Sequence, residues 1–179
     1  VSLQASPGWD EHRAFWRRYL ADAPQLLELP TDRPRPARQT YRGARRSVAL
    51  APDLLKQLEA LTQHAQTTLF AGLLAVFQLV IGRYTGQANF VLGVPVANRE
   101  HPATRDVIGF FVNTLPWRAD LRGSPSFRAL LGRVHQASTD ILPRQDLPLE
   151  AILDTLGLER GTGRNALIQA LFVFQDAPT

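Results

Sequence analysis

Apolar residues recur three or four positions apart in several segments of the chain, which is the spacing of a helix with one buried face. Asp10 and Glu11 precede the first such segment, where their charges favour the helix dipole, and Pro24 follows it. The pattern therefore predicts a helix that begins near Trp9 and ends by Pro24. Four further helices are predicted: one opened by Pro52, one over 69–84 capped by Thr67 or Thr68, one capped by Ser124 and running to about Leu142, and one from Pro148 to Gly157.

The helix over 69–84 differs from the others because apolar residues cover nearly all of its faces. Gln78 interrupts its most apolar run, and we expect other elements to enclose this helix. The run is shorter than the ~20 residues that a bilayer span requires, so it predicts a core helix and no membrane partner. The N-terminal residues lack the apolar stretch of a signal peptide, and a cytoplasmic location is expected.

Short apolar runs with β-branched residues alternate with these helices and predict strands. They cover residues 47–50, 90–94, 114–121 and 168–174. This order predicts the α/β class, with helices layered on a mixed β-sheet. Residues 1–46 are interpreted as a linker helix followed by an extended Pro/Arg segment, and residues 47–179 as one folded unit.

Composition places the chain among folded proteins of single-domain size. It has 179 residues, of which 45% are hydrophobic and 20% charged. The net charge is +4, and the excess of arginine over acidic residues lies within residues 1–46. Nucleic-acid binders usually carry a folded basic face with interleaved aromatic residues, so we interpret this arm as solvated and predict no nucleic-acid partner. Methionine is absent, even as an initiator, and the chain is expected to be part of something longer.

Residue types that carry most enzymatic chemistry are scarce. Cysteine is absent, which excludes a thiolate nucleophile and thiolate metal sites. The 4 histidines are isolated along the sequence, and no metal site is predicted. The short signatures of phosphate-binding loops, serine hydrolases, zinc proteases and dinucleotide-binding folds are missing from the sequence.

Three local patterns point to one family. Residues 107–118 read VIGFFVNTLPWR, residues 144–150 read RQDLPLE, and residues 160–167 read RGTGRNAL. In order and spacing they resemble the [IV]-G-x-F-V-N-T-x-x-x-R, [HN]-Q-D-x-P-F-E and R-D-x-S-R-N-P-L motifs of the condensation domains of nonribosomal peptide synthetases. The stretches 29–36, 83–87 and 93–99 are similar to the same family, so the resemblance covers nearly the whole chain.

The resemblance implies a domain of two lobes, each like chloramphenicol acetyltransferase, with a tunnel between them. In that family, carrier proteins deliver thioesters on phosphopantetheine arms, and the acceptor amine attacks the donor thioester to form the peptide bond. The H-H-x-x-x-D-G motif lies in the N-terminal lobe, and this chain has no adjacent histidines. We therefore expect the linker and most of the C-terminal lobe, truncated at its C-terminal end, inert without its N-terminal lobe and binding no cofactor directly. Apolar surface left without that lobe is expected to make the chain self-associate.

Departures from the motifs keep other functions open. Arg144 stands where the family has His or Asn, and Leu149 stands where it has Phe. Gly161, Gly163 and Ala166 replace the Asp, Ser and Pro of the third motif. The alternatives are a non-catalytic platform that docks a carrier protein or a tailoring enzyme, and an acyltransferase of the same superfamily that acts on a free alcohol or amine.

The resemblance also assigns expected roles to individual residues. Four are predicted to line the substrate tunnel: Arg99, Gly109, Phe111 and Asn113. Six more motif residues are predicted to be structural: Arg118, Gln145, Asp146, Glu150, Arg164 and Asn165.

The chemistry of these side chains suggests specific contacts. A buried amide such as Asn113 either pins a strand end or faces a cavity, and both readings stay open. Asp146 is predicted to cap the helix that follows it, with Glu150 in the first turn of that helix. Arg99 and Arg118 are predicted to pair with Asp106 and Asp120, or alternatively to guide a phosphopantetheine phosphate.

Overall fold

A computed structural model describes residues 8–34, 42–99, 102–104, 106–158 and 165–175. Within these ranges, helices and strands follow each other in nearly the predicted order. The elements are α1 (Trp9–Tyr19), α2 (Pro52–His64), α3 (Leu69–Thr85), β1 (Asn89–Val96), β2 (Asn113–Asp120), α4 (Phe127–Ile141) and α5 (Leu149–Thr155). Two short 3₁₀ turns, Pro102–Thr104 and Leu142–Arg144, precede β2 and follow α4.

Local hydrogen bonds define where the longer helices begin. The Thr68 side chain accepts a hydrogen bond of 3.2 Å from the backbone N–H of Ala71, so the predicted cap of α3 is confirmed. The predicted cap of α4 is wrong, because Ser126 rather than Ser124 occupies that position. The Ser126 hydroxyl accepts a hydrogen bond of 3.2 Å from the backbone N–H of Ala129.

The two strands form an antiparallel pair in which Asn89 lies opposite Asp120 and Val96 opposite Asn113. Leu171 adds a parallel bridge to Gly93 on the other edge of β1. The sheet is therefore mixed, as predicted, but the strand expected over 168–174 is reduced to this single bridge. Glycine suits the bridge position, because a Cβ at Gly93 would collide with the Leu171 side chain.

Residues 47–50 do not form the predicted strand. They are extended and exposed, and Val48 is 87% exposed. β-propensity reflects packing against neighbouring strands, so apolar residues that lie beside no other strand form no ladder.

Helix α3 runs through the hydrophobic core and packs against α2 and α4. One stripe of it is nevertheless exposed, formed by Val76, Val80 and Tyr84. These residues are four positions apart and share a face of the helix. Within the part of the chain that the structure describes, other elements therefore cover α3 on several sides and leave this stripe uncovered.

Helix α1 packs against α5 and contributes Trp16 to the same core. Phe15 and Tyr19 stack at 5.6 Å between ring centroids, and Trp16 meets both rings edge-on. The predicted linker helix is fixed to the folded unit by the burial of Trp16 in the core and by the Tyr19 hydroxyl, which accepts a hydrogen bond of 3.1 Å from the backbone N–H of Arg118. The division of the chain at residue 46 stays a prediction.

Candidate functional site

The loop before β2 carries the V-I-G-F-F-V-N-T motif and presents its apolar side chains outward. Ile108 is fully exposed and Phe110 is 90% exposed, while Val107 and Val112 are each about half exposed. We call residues 107–112 the motif loop. Contiguous exposed apolar side chains are typical of surfaces that another protein element covers.

Arg99 holds the motif loop from the end of β1. Its guanidinium donates hydrogen bonds to the backbone oxygens of Thr104, Val107 (2.9 Å) and Gly109 (3.1 Å). It also lies 4.4 Å from the centroid of the Phe111 ring. A planar guanidinium can bond in several directions and stack on an aromatic ring at once, which an ammonium cannot do. Three of the predicted tunnel residues are therefore joined in one cluster.

The two ion pairs predicted for Arg99 and Arg118 are wrong. Arg99 donates to carbonyl groups of its own loop rather than to Asp106. Arg118 contacts both β1 and the end of α1: its Nε donates to Oδ1 of Asn89 at 2.9 Å, and its Nη1 donates to the Tyr19 carbonyl at 3.3 Å. Its role in the described structure is to join β2 to β1 and α1.

Asp120 has other cationic partners. Oδ2 lies 2.7 Å from Nη2 of Arg122, Oδ1 accepts from Nε of the same side chain at 2.9 Å, and Arg133 lies 3.8 Å away. These hydrogen bonds from Arg122 lower the pKa of the Asp120 carboxyl from 3.8 to about 2. Because Arg122 is two residues away in sequence, it satisfies Asp120 locally.

Asn113 is bonded at every donor and acceptor position of its amide. Nδ2 donates to the carbonyl oxygens of Gln145 and Leu147, both at 2.8 Å. Oδ1 accepts from the backbone N–H groups of Thr114 at 2.9 Å and Leu149 at 3.2 Å. This arrangement satisfies a buried amide completely and supports its reading as a structural pin. A role in lining the tunnel stays a prediction.

Asp146 fastens the second motif to α1. Its Oδ2 accepts a hydrogen bond of 3.2 Å from Nε1 of Trp9, and its Oδ1 lies 2.8 Å from Nδ1 of His12. The predicted capping role of Asp146 is wrong, because Pro148 occupies the N-cap position of α5 and no side chain caps that helix. Trp9 and His12 were not predicted as partners; their spacing of three residues on one helix face was the available signal.

The remaining motif residues that were predicted to be structural do not form one cluster in the described structure. Glu150 lies in the first turn of α5, as predicted. The backbone oxygen of Asn165 accepts a hydrogen bond of 2.7 Å from Nε2 of Gln169. Arg164 lies outside the described residues.

Across the described ranges, no three His, Cys, Asp or Glu side chains lie close enough together to hold a metal ion. Within the same ranges, no single helix has both the length and the apolar character to cross a membrane. Helices α2 and α3 meet those two criteria only as a pair, bent by 108°.

Comparison with known proteins gives a consistent result. The family model of the condensation domain matches residues 2–179. One protein of the linear gramicidin synthase of Brevibacillus parabrevis is 44% identical over 168 residues, which are 94% of this chain and 3% of that protein. Holo-AB3403, a four-domain nonribosomal peptide synthetase solved with AMP and glycine, has a TM-score of 0.92 at 25% identity, covering 97% of this chain and 13% of its own.

A third match is the X-domain from teicoplanin biosynthesis in its complex with OxyB. It has a TM-score of 0.86 at 26% identity, and the match covers 90% of this chain and 36% of the X-domain chain.

The chain belongs to the condensation domain family of nonribosomal peptide synthetases. The predicted α/β fold, like that of chloramphenicol acetyltransferase, is confirmed by these structures. The chain spans only a small part of the length of these relatives.

Proposed function

We propose that this chain forms the second lobe of a condensation domain that joins two carrier-bound substrates through an amide bond. The acceptor amine attacks the carbonyl of the donor thioester, so that a C–N bond forms and the C–S bond breaks. The amine loses one proton and the departing thiolate gains one, which balances the reaction. The thioesters arrive on phosphopantetheine arms of carrier proteins, and these arms are substrates rather than groups that the chain retains.

One observation carries the proposal: the family's V-I-G-F-F-V-N-T motif projects its apolar side chains away from the core of this chain. Arg99 holds the loop through the carbonyl groups of Val107 and Gly109. Asn113, the residue that follows the loop, donates a hydrogen bond to the Leu147 carbonyl in the segment before α5. A loop held at both ends presents a defined surface. We infer that this surface faces the first lobe and forms one wall of the tunnel.

The chain is proposed to be inert alone, because the family's histidine motif has no counterpart in its sequence. The test is mass-spectrometric detection of product from loaded donor and acceptor carriers. The chain alone should give no product, whereas the chain joined to a first lobe with an intact histidine motif should give the amide. Product from the chain alone would show that the first lobe is not needed for amide formation.

The surface itself is tested by adding the first lobe as a separate protein. Replacing Ile108 and Phe110 together by serine should weaken binding of that lobe and lower product formation in parallel. Val48→Ser is the matched control, because Val48 is also exposed but lies in an extended segment. Equal effects of both changes would show that the motif loop has no special part in lobe contact.

A non-catalytic platform is the second candidate. It is favoured by the likeness to an X-domain that was solved in complex with OxyB, and by Arg144 in the second motif. Arg144 is used within the fold, since its guanidinium lies 4.2 Å from the centroid of the Phe15 ring. This function predicts that the complete domain binds a partner protein, measured by calorimetry, but forms no amide. Acceptance of a free amine or alcohol would instead favour an acyltransferase.

A further inference from the structure

The second motif, which spans residues 144–150, contacts two separate parts of the chain. It lies between the end of α4 and the first turn of α5. We call residues 144–149 the bridging segment. The Leu147 side chain is fully buried in the hydrophobic core, and the ring of Pro148 restricts the backbone beside it. These two residues limit the conformations that are open to the bridging segment.

Side chains of the bridging segment contact α1. Oδ2 of Asp146 accepts a hydrogen bond of 3.2 Å from Nε1 of Trp9, and Oδ1 lies 2.8 Å from Nδ1 of His12. The guanidinium of Arg144 lies 4.2 Å from the centroid of the Phe15 ring. Because Trp9 and Phe15 are buried residues of α1, these contacts join the bridging segment to the packed face of that helix. A displacement of α1 therefore acts directly on the bridging segment.

The backbone of the bridging segment contacts the start of β2. Nδ2 of Asn113 donates to the carbonyl oxygens of Gln145 and Leu147, which are the residues on either side of Asp146. Oδ1 of Asn113 accepts from the backbone N–H of Leu149 at 3.2 Å. Since both ends of the amide are bonded, it cannot turn without breaking a hydrogen bond. Asn113 directly follows the motif loop, so the bridging segment sets the point at which that loop joins β2.

We propose that Asp146 is a positioning residue for the motif loop. It ties the bridging segment to α1, and Asn113 passes the position of that segment on to the loop. This inference rests on the proposed function, because it takes the motif loop to be one wall of the tunnel. Reacting groups that are held slightly out of place react much more slowly. A residue that fixes one wall therefore raises the rate of amide formation through the loop.

Backbone order parameters of residues 107–112, obtained from ¹⁵N relaxation of the monomeric chain, test the first step. A rigid backbone gives values of about 0.85, and a flexible one gives values below about 0.6. Asp146→Ala removes both acceptor oxygens and should lower the values in the motif loop by about 0.2. Asp154→Ala, at an exposed position of α5, is the matched control and should leave them unchanged. A residue that only adds stability would not alter the motion of the folded chain.

Two further comparisons show whether the effect passes from α1 to Asn113. Trp9→Phe removes the indole donor and keeps an aromatic ring, so it should also loosen the motif loop. Trp16→Phe removes an N–H that has no partner within the described ranges, and it should not. In a chain that carries Asn113→Ala, Asp146→Ala should lower the order parameters no further. The proposal is overturned by a loop that neither Asp146→Ala nor Trp9→Phe changes, or by an undiminished effect of Asp146→Ala beside Asn113→Ala.

The complete domain tests the consequence for the reaction. With both loaded carriers at saturating concentration, Asp146→Ala should lower the rate of amide formation by about fivefold or more, and Asp154→Ala should not change it. An unchanged rate in Asp146→Ala, despite a loosened loop, would overturn the role of Asp146 in the reaction. If the unaltered complete domain forms no amide, the proposed function fails instead, and the order parameters alone decide whether Asp146 fixes the loop.

Discussion

Nδ2 of Asn113 lies 2.8 Å from the carbonyl oxygen of Leu147, so the first residue of β2 is bonded directly to the segment that leads into α5. The same segment is also held by α1, because Asp146 contacts Trp9 and His12 of that helix. The start of β2, the start of α5 and one face of α1 therefore form a single hydrogen-bonded unit.

Asn113→Ala should destabilise this unit. The change leaves the carbonyl groups of Gln145 and Leu147 and the N–H of Leu149 without the amide that they now contact. We expect the free energy of unfolding in urea to fall by about 1–3 kcal/mol. Asn165→Ala, at an exposed position, is the control and should have little effect. Unchanged stability, together with lost condensation by the complete domain, would assign Asn113 to the tunnel instead.

Asp146 and His12 should be energetically coupled. Asp146→Ala and His12→Ala are each expected to lower the free energy of unfolding in urea. The double variant should lower it by less than the sum of the two single changes. The Asp146 side chain is 53% exposed, so the coupling should be only about 0.5–1 kcal/mol. Asp106→Ala, at another exposed carboxylate, should show no coupling to His12→Ala. Strict additivity of the first pair would mean that their contact contributes nothing.

The sequence predicted the elements that are determined by residues close together in the chain. Helix α3 and its Thr68 cap depend on an apolar run and on a hydrogen bond between residues three positions apart, and each strand contains an apolar run of its own. The role of Asp146 depends on Trp9, which is 137 positions away, and residue chemistry does not identify so distant a partner. Similarly, the amide of Asn113 required partners, but only the fold shows that they are backbone groups around α5.

The Asp120 carboxylate should make the free energy of unfolding depend on pH under acidic conditions. Its pKa is lowered to about 2 in the folded chain from an ordinary 3.8, so the folded state holds the charge more strongly than the unfolded state. The stabilisation is therefore complete above about pH 4 and is lost as the pH falls towards about 2. Because this side chain is 34% exposed, solvent screening limits the effect to about 1 kcal/mol.

The measurement for Asp120 is urea unfolding at about pH 6 and about pH 3. Asp120→Asn should reduce the difference in stability between these two conditions, and added salt should reduce it in the original chain. Asp32→Asn, at an exposed carboxylate in the extended segment, is the control and should leave the difference unchanged. An identical acid dependence in Asp120→Asn would show that other carboxylates carry it.

Arg99→Lys should loosen the motif loop without unfolding the chain. An ammonium group cannot donate to three carbonyl groups in the fork arrangement or stack on Phe111 as the guanidinium does. Amide hydrogen exchange over 107–112 should become faster, while the melting temperature changes little because the loop is exposed. Arg83→Lys, on the exposed surface of α3, should leave this exchange unchanged. Unaltered exchange in Arg99→Lys would show that Arg99 does not hold the loop.

The chain should associate with itself through the motif loop. Ile108 and Phe110 are large apolar side chains at the most exposed part of the described surface, and burying them between two copies removes apolar area from water. The molar mass from light scattering coupled to size exclusion should therefore rise with protein concentration. Replacing both residues by serine should restore a monomer, whereas Val48→Ser, which changes an equally exposed residue outside the loop, should not. If the double variant still associates and Val80→Ser abolishes association, the exposed stripe of α3 is the contact surface instead. A monomer at every concentration of the unaltered chain would contradict both surfaces.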